Sequence, residues 1–508
     1  MAKKSIYEII KTNIADDGKM MKGFSLKDYG IHNKSPFVPG GFDGTAMQGH
    51  YHPGKPEAEA KTVVELIRQY FQTGEFSIIV EIKELLESAG TLAAVDLILN
   101  GIMENHEGID PQSFIEFALN LAKTSDSIDL VKLGISMLGL FDLGEFKEVI
   151  DPVTILAVYD EFTLFSVVAA SKWRGGNDIV FKIAHRVDGW GKINAVEWLE
   201  PVTDEIRDWI LRKGCENNVM DAYLGLTCAK KGDLISALRR DSLDRGLFDS
   251  IAIIMDALLD EGPVPGISEY DHAEESLALY LSHAKKYATT LKHLWYILNV
   301  KTNMEDSKIA NKAEIMALSE EIEKSRNWED AIRDILTRRD DDYFFYACNI
   351  ASRMGINVSE QLLAIIKDEP LPYWPYALRF FRKTTMVAEM ISIYESVLPL
   401  DKLATGMGDD LFAEDLFDEH SCLESIINEL KAYPMQGVRF IQTGLNSRVV
   451  RERNTACHIL AEWIKTERKP LAELSPEIYE EVVRIHALEV NTETKARMKG
   501  LIDGVIEE

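Results

Sequence analysis

Residues able to do chemistry concentrate in one stretch, Val38–Pro53, VPGGFDGTAMQGHYHP, which holds four glycines, two prolines, Asp43, His50 and His52. A carboxylate and two imidazoles are a donor set for a divalent cation. His50 and His52 stand two apart, so an extended segment puts both on one side, and an ion would need them neutral. These three are the candidate metal ligands, and a metal-dependent enzyme is the reading that goes with them. A plainer reading is a glycine-rich capping loop whose histidines bond to backbone groups. Gly41-Phe42-Asp43-Gly44 is a turn signal flanked by apolar residues, compatible with a small hairpin.

Elsewhere the signatures of catalysis are incomplete. None of the five cysteines, Cys215, Cys228, Cys348, Cys422 and Cys457, sits in the glycine-containing loop of a haem-thiolate site. A helical di-iron centre needs two E-x-x-H segments and two further glutamates, and only Glu269–His272 has that spacing. Gly406-Met407-Gly408 lacks the third glycine of a dinucleotide fingerprint, and Asp409 and Asp410 would repel a pyrophosphate. There is no P-loop, H-E-x-x-H or G-x-S-x-G. The expectation is a protein without a cofactor.

Two kinds of partner-binding candidate remain. Asp409–Glu419, DDLFAEDLFDE, sets six acids beside Leu411, Phe412, Leu416 and Phe417. That pattern suits an acidic lip with aromatic anchors, and equally a solvated amphipathic helix. Trp173-Arg174-Gly175-Gly176 and Asp188-Gly189-Trp190-Gly191 are tight turns carrying tryptophans, which pack between helices or line a groove. The candidate partner residues are Trp190, Phe412 and Phe417.

These groups must be positioned by helices, because helical spacing dominates from Glu57 onward. Val63, Val64, Ile67, Tyr70 and Phe71 form one apolar stripe. Ile78, Ile79, Ile82, Leu85 and Leu86 form the next, with Gly74 and Gly90 as breaks. Leu92, Val95, Leu99, Ile102 and Met103 follow. Asp110-Pro111 and Asp151-Pro152 each read as a helix start with proline in the tolerated first turn. Short connections make such helices antiparallel neighbours. Before Glu57 only Ser5–Asn13 reads as a helix, capped by Ser5. Gly262–Gly266 and the weakly patterned Lys301–Lys312 are candidate boundaries, and Pro370–Pro375 reads as a turn. Ser447–Thr466 is the longest clean helix, with Leu460 on its buried face.

Composition sets the class. Of 508 residues, 46% are hydrophobic and 27% charged, as in a folded protein. Eighty-three acids against 56 bases give a net charge of −27, which disfavours nucleic acid and anionic membranes as partners. Sparse, unpaired cysteines fit a reducing compartment. The N-terminus lacks the apolar core and cleavage site of a signal peptide, and no run reaches the length of a membrane span. The expected location is the cytoplasm.

Leu445–Glu462, LNSRVVRERNTACHILAE, resembles a HEAT or armadillo-type repeat helix: a turn, a polar cap at Ser447, Val450-Arg451, then an alanine-containing apolar face ending in Leu460. In such repeats the arginine ties neighbouring repeats through an acid or a carbonyl. The sequence departs from that pattern at Asn454, where alanine is expected. Asn177–Leu234, with VDGWGKINAVEWLEP and EIRDWILRKGCENNVMDAYLGLTCAKKGDL, and the VVRERN helix are similar to a family of large bacterial helical proteins, some of which carry the label limonene hydroxylase. The resemblance implies a monoterpene oxidoreductase, with no residue here assigned to that chemistry.

The expected fold is therefore all-α: an α-solenoid of HEAT/ARM-like helical pairs with a period of roughly 35 residues. A loop-rich cap covers 1–56 and the array runs over 57–300 and 301–508. The expected function is a non-enzymatic scaffold holding a protein or peptide in its concave face. The monoterpene hydroxylase and the metal-dependent enzyme are the alternatives.

Overall fold

The computed structural model describes residues 4–32, 37–262, 264–305, 309–381, 385–411, 413 and 415–505. Among them every regular element is helical, and backbone bridging is limited to Ile14 with Met20 and Asp410 with Val449. The all-α expectation holds. The chain forms two compact units, residues 1–289 with 296–322 and residues 290–295 with 323–508. The stretch 1–56 is thus part of the first unit, and the main division falls at 322–323 rather than at 300.

In the first unit the elements that matter are α1 (Ile6–Lys11), α2 (Gly41–Met47), α3 (Glu57–Thr73), α4 (Ser77–Ala89), α5 (Thr91–Glu104), α6 (Pro111–Thr124), α7 (Ile128–Leu138), α8 (Lys147–Leu156), α9 (Asp160–Ser171), α10 (Gly176–Ala184), α11 (Gly189–Trp198), α12 (Asp204–Trp209) and α13 (Ala222–Lys231). Most pack mainly on near neighbours in sequence: α3 on α4 and α5, α7 on α5, α6 and α9, α9 on α10 and α11, α11 on α13, whereas α1 packs on α6 and α8 and α2 on α9 and α11. The cause is the apolar stripe. Ala60, Val63, Val64, Leu66 and Ile67 bury one face of α3, and Gly74 ends it at a φ of 69° that a side chain would strain. Asp110 caps α6 by accepting the Ser113 N–H at 2.8 Å, ahead of Pro111.

Four local expectations change. The glycine-rich turn is not a hairpin but the helix α2, held by tertiary contacts that override its glycines. The stripe of α5 runs through Ala94, Val95, Ile98 and Ile102, which leaves Met103 on the exposed side. Helix α8 begins at Lys147, so Pro152 lies inside it and not at its start. Pro370–Ala377 is a helix with Pro370 in its first turn.

In the second unit Val450–Glu467 is an 18-residue helix, and Leu460 is buried as expected. Arg451, its side chain mostly exposed, meets Glu424 of the helix Phe417–Glu429 at 2.7 Å, and Arg453, two residues on, is fully buried.

Candidate functional site

Helix α2 brings a carboxylate to the interior. Asp43 Oδ2 lies 2.6 Å from Lys132 Nζ of α7, and Glu161 Oε1 of α9 lies 2.5 Å from the same ammonium. All three side chains are buried. Glu161 also accepts the Gly40 N–H at 3.0 Å, so one buried acid fastens the start of α2. Burial raises the Asp43 carboxyl above its ordinary range even though Lys132 pulls it down, and Glu161 and Asp129 add to the rise. Burial alone would lower the Lys132 ammonium. The fields and hydrogen bonds of Asp43 and Glu161 outweigh it and raise the group, so Lys132 is a fixed cation and no nucleophile.

Trp190 is buried under the other face of α2. A Cβ on Gly44 would overlap its indole ring, and one on Gly40 would come within 2.6 Å of the Asp160 carbonyl oxygen. The glycines of this stretch are needed for close approach. Trp190 is therefore an internal anchor, its ring 5.1 Å from that of Tyr223. Asp160, at the start of α9, accepts backbone hydrogen bonds from Trp190 and Gly191 at the start of α11, and burial pushes its carboxyl up to about 7. Further ties are Lys19 to Asp188 at 2.8 Å, Arg186 to the Gly18 carbonyl at 2.8 Å, and the Ile6 N–H to the Ser125 carbonyl at 3.0 Å.

The expected metal ligands are not assembled. Asp43 is engaged by Lys132, His50 is exposed with Nε2 2.7 Å from the Tyr223 hydroxyl, and His52 is exposed. Among the described residues no group of three or more His, Cys, Asp or Glu is placed to hold a metal ion. The physical reason is α2 itself. It turns Asp43 inward, while the histidines follow it on the outside.

Beside the buried cluster lies a cavity of about 720 Å3, walled by the loop after α2, the end of α4 and the starts of α5 and α7. Asp43 and Lys132 reach it from within. Asp129 lines it and accepts a hydrogen bond from the Thr91 hydroxyl at 2.5 Å. Phe42 and Tyr51 form an aromatic wall, their ring centroids 4.9 Å apart. The Tyr51 hydroxyl donates to the Phe42 carbonyl at 2.9 Å, and burial with the Asp43 charge pushes it up to about 12. Sequence reasoning missed Lys132 and Glu161. The available signal was a charge set in or against an apolar run, Lys132 in LVKLGISML and Glu161 before FTLFSVVAA.

The second unit carries a different surface. On the helix Asp341–Arg353, Phe345 is 43% exposed. Its ring lies 5.6 Å from Trp295 and 5.4 Å from Tyr346, and the Arg353 guanidinium sits 3.9 Å over the Trp295 ring. In the expected acidic lip the described residues before Phe417 belong to no helix, and the helix starts at Phe417. Phe417 and Leu411 are exposed, Asp410 pairs with Arg448, and Phe412 lies outside the described residues.

No family profile, curated protein or solved structure matches the chain. Among the described residues no helix is long and apolar enough to cross a membrane.

Proposed function

We propose that this protein is a non-enzymatic helical-repeat scaffold of α-solenoid type, working in the cytoplasm, that binds a basic, apolar segment of a polypeptide partner. The observation that carries the reading is the face formed by Trp295, Tyr343, Phe345, Tyr346 and Arg353. Tryptophan, tyrosine and arginine are the residue types that dominate binding energy at protein interfaces. Asp341 and Asp342, exposed one helical turn before Phe345, and the net charge of −27 select a basic partner. Packing of most helices mainly on near neighbours in sequence is the arrangement of repeat arrays and adds support.

The thiols fit this reading better than an oxygenase. Burial pushes Cys348 and Cys457 up to about 12 and raises Cys422, while the adjoining Cys228 thiol and burial raise Cys215. Such thiols are inert core side chains rather than ligands or nucleophiles. The test is fluorescence anisotropy with a labelled synthetic peptide of lysine and leucine in helical spacing. It should bind the wild type, and Phe345→Ala should weaken binding by roughly tenfold or more without loss of helicity. A peptide with glutamate in place of lysine should not bind. Equal affinity of wild type and F345A for the basic peptide would refute the assignment of this face.

A further inference from the structure

We propose that the cavity between α2, α4, α5 and α7 is a binding site for a small organic cation, a primary ammonium on a short apolar chain. The inference is independent of the polypeptide-docking face, which belongs to the other unit.

Charge balance points to a cation. Lys132 is the single ammonium held by Asp43 and Glu161, with Asp129 on the adjoining cavity wall, so carboxyl groups outnumber it three to one. Lys83, the other lysine on the wall, faces Glu87 at 3.6 Å and brings no surplus of positive charge. The starts of α5 and α7 offset part of the excess with their backbone N–H groups, but Asp129 stands in the first turn of α7 and answers that end locally. A carboxylate offers about four acceptor positions, and the Thr91 hydroxyl takes one of them on Asp129. An ammonium brings three donors and no acceptor, so it matches what Asp129 still offers. An anion would meet Asp43 and Asp129 together.

Size and lining decide the rest. About 720 Å3 lies in the range of small-molecule sites and is far more than a bare ion fills. The rings of Phe42 and Tyr51 supply π faces for a cation, and Ile31, Leu86 and Leu92 supply apolar wall for its chain. Metal ions lack the three-residue ligand set they would need among the described residues. The feature that favours a ligand over a merely structural cluster is this combination of excess negative charge with open volume beside it.

The experiment uses the full chain and n-butylammonium as probe, with butyrate and butanol as controls of the same length, at constant ionic strength. Calorimetry and thermal unfolding should show saturable binding and a rise in Tm with butylammonium alone. Asp129→Asn should weaken binding by tenfold or more, and Tyr51→Leu should weaken it as well. Glu116→Gln, an exposed acid on α6 away from the cavity, should leave it unchanged. Both variants lie at the cavity wall, so a fold defect in one leaves the other to answer. The proposal is overturned if butylammonium does not saturate, if butyrate or butanol raises Tm as much, or if D129N and Y51L both bind as the wild type does. A saturable shift with magnesium chloride would overturn it in favour of a metal site.

Discussion

Arg453 and Lys132 are both cations sunk among helices, one in each unit, yet they are satisfied in different ways. Arg453 is fully buried and meets Glu489 with two parallel bonds, Nε at 2.7 Å and Nη2 at 2.8 Å. Two further donors reach the carbonyls of Ser447 and Gly408, both at 2.7 Å. Charge balances and four of the five N–H donors are placed: the group is a lock between the Val450–Glu467 helix and the segments around it. Lys132 faces two carboxylates with a third nearby, and a cavity opens beside it. A buried cation is therefore not a functional signal by itself. Charge balance and adjoining volume separate a lock from a site.

The largest expected effect tests the lock. Arg453→Met keeps most of the volume but leaves Glu489 buried without its partner, at a cost of about 3–5 kcal/mol. Urea unfolding measures it, and R453M/E489L should recover most of the loss, because an apolar pair of similar size replaces the ion pair. A double variant as unstable as the single one would mean that Glu489 is not what makes Arg453 necessary.

Lys132→Met should cost less, about 2–4 kcal/mol at pH 7, since water in the cavity can solvate part of the stranded charge. The loss should narrow in acid. Without the ammonium, burial favours the protonated form of Asp43 still more, and the proton it takes up removes part of the penalty. The damage should also be local, with faster proteolysis across residues 37–56 before the rest of the first unit opens. A loss as large as that of R453M, and independent of pH, would erase the distinction between the two cations.

The contrast also shows where the sequence was readable. Helical periodicity located most of the helices, because stripes such as Val63, Val64 and Ile67 are local patterns with a single burial solution. The Asp110-Pro111 start was legible for the same reason: cap and helix are neighbours in sequence. Helix α2 was not, since GFDGTAM has poor helix propensity and is held by Lys132, Glu161 and Trp190, up to 150 residues away. Asp43 drew attention as a candidate ligand, but its partner could not be named from spacing. Arg451 and Arg453 are two apart on one helix, and only the fold decides which of them faces inward.

Asp160 sharpens the first-unit half of the comparison through pH. Its carboxyl is raised to about 7 from an ordinary value of 3.8, chiefly by burial, so the native state holds this proton more tightly than the unfolded chain does. That contribution is fully present below the unfolded value and is lost as pH rises through about 7. Between pH 4 and pH 8 the wild type should lose on the order of 2 kcal/mol more than Asp160→Asn, which still accepts from the Trp190 and Gly191 N–H groups. Parallel stability curves for the two proteins would show that the buried acid is ionised throughout.

Glu462 closes the series at the surface, on the same helix as Arg453. Its carboxylate meets Lys431 at 3.0 Å and Lys465 at 3.2 Å, and the two lysines hold its carboxyl below the ordinary range. Both lysine side chains are about half exposed, so water and salt screen the pairs as they do not screen Arg453 and Glu489. Holding two long side chains in place also costs rotamer freedom that offsets most of the attraction. Glu462→Ala should therefore change stability by about 0–1 kcal/mol, and by less in 1 M salt. Leu460→Ala, two residues away on the buried face, provides the scale at about 2–5 kcal/mol. If E462A cost as much as L460A, and salt did not reduce it, the ranking of these ion pairs by burial would fail at its simplest member.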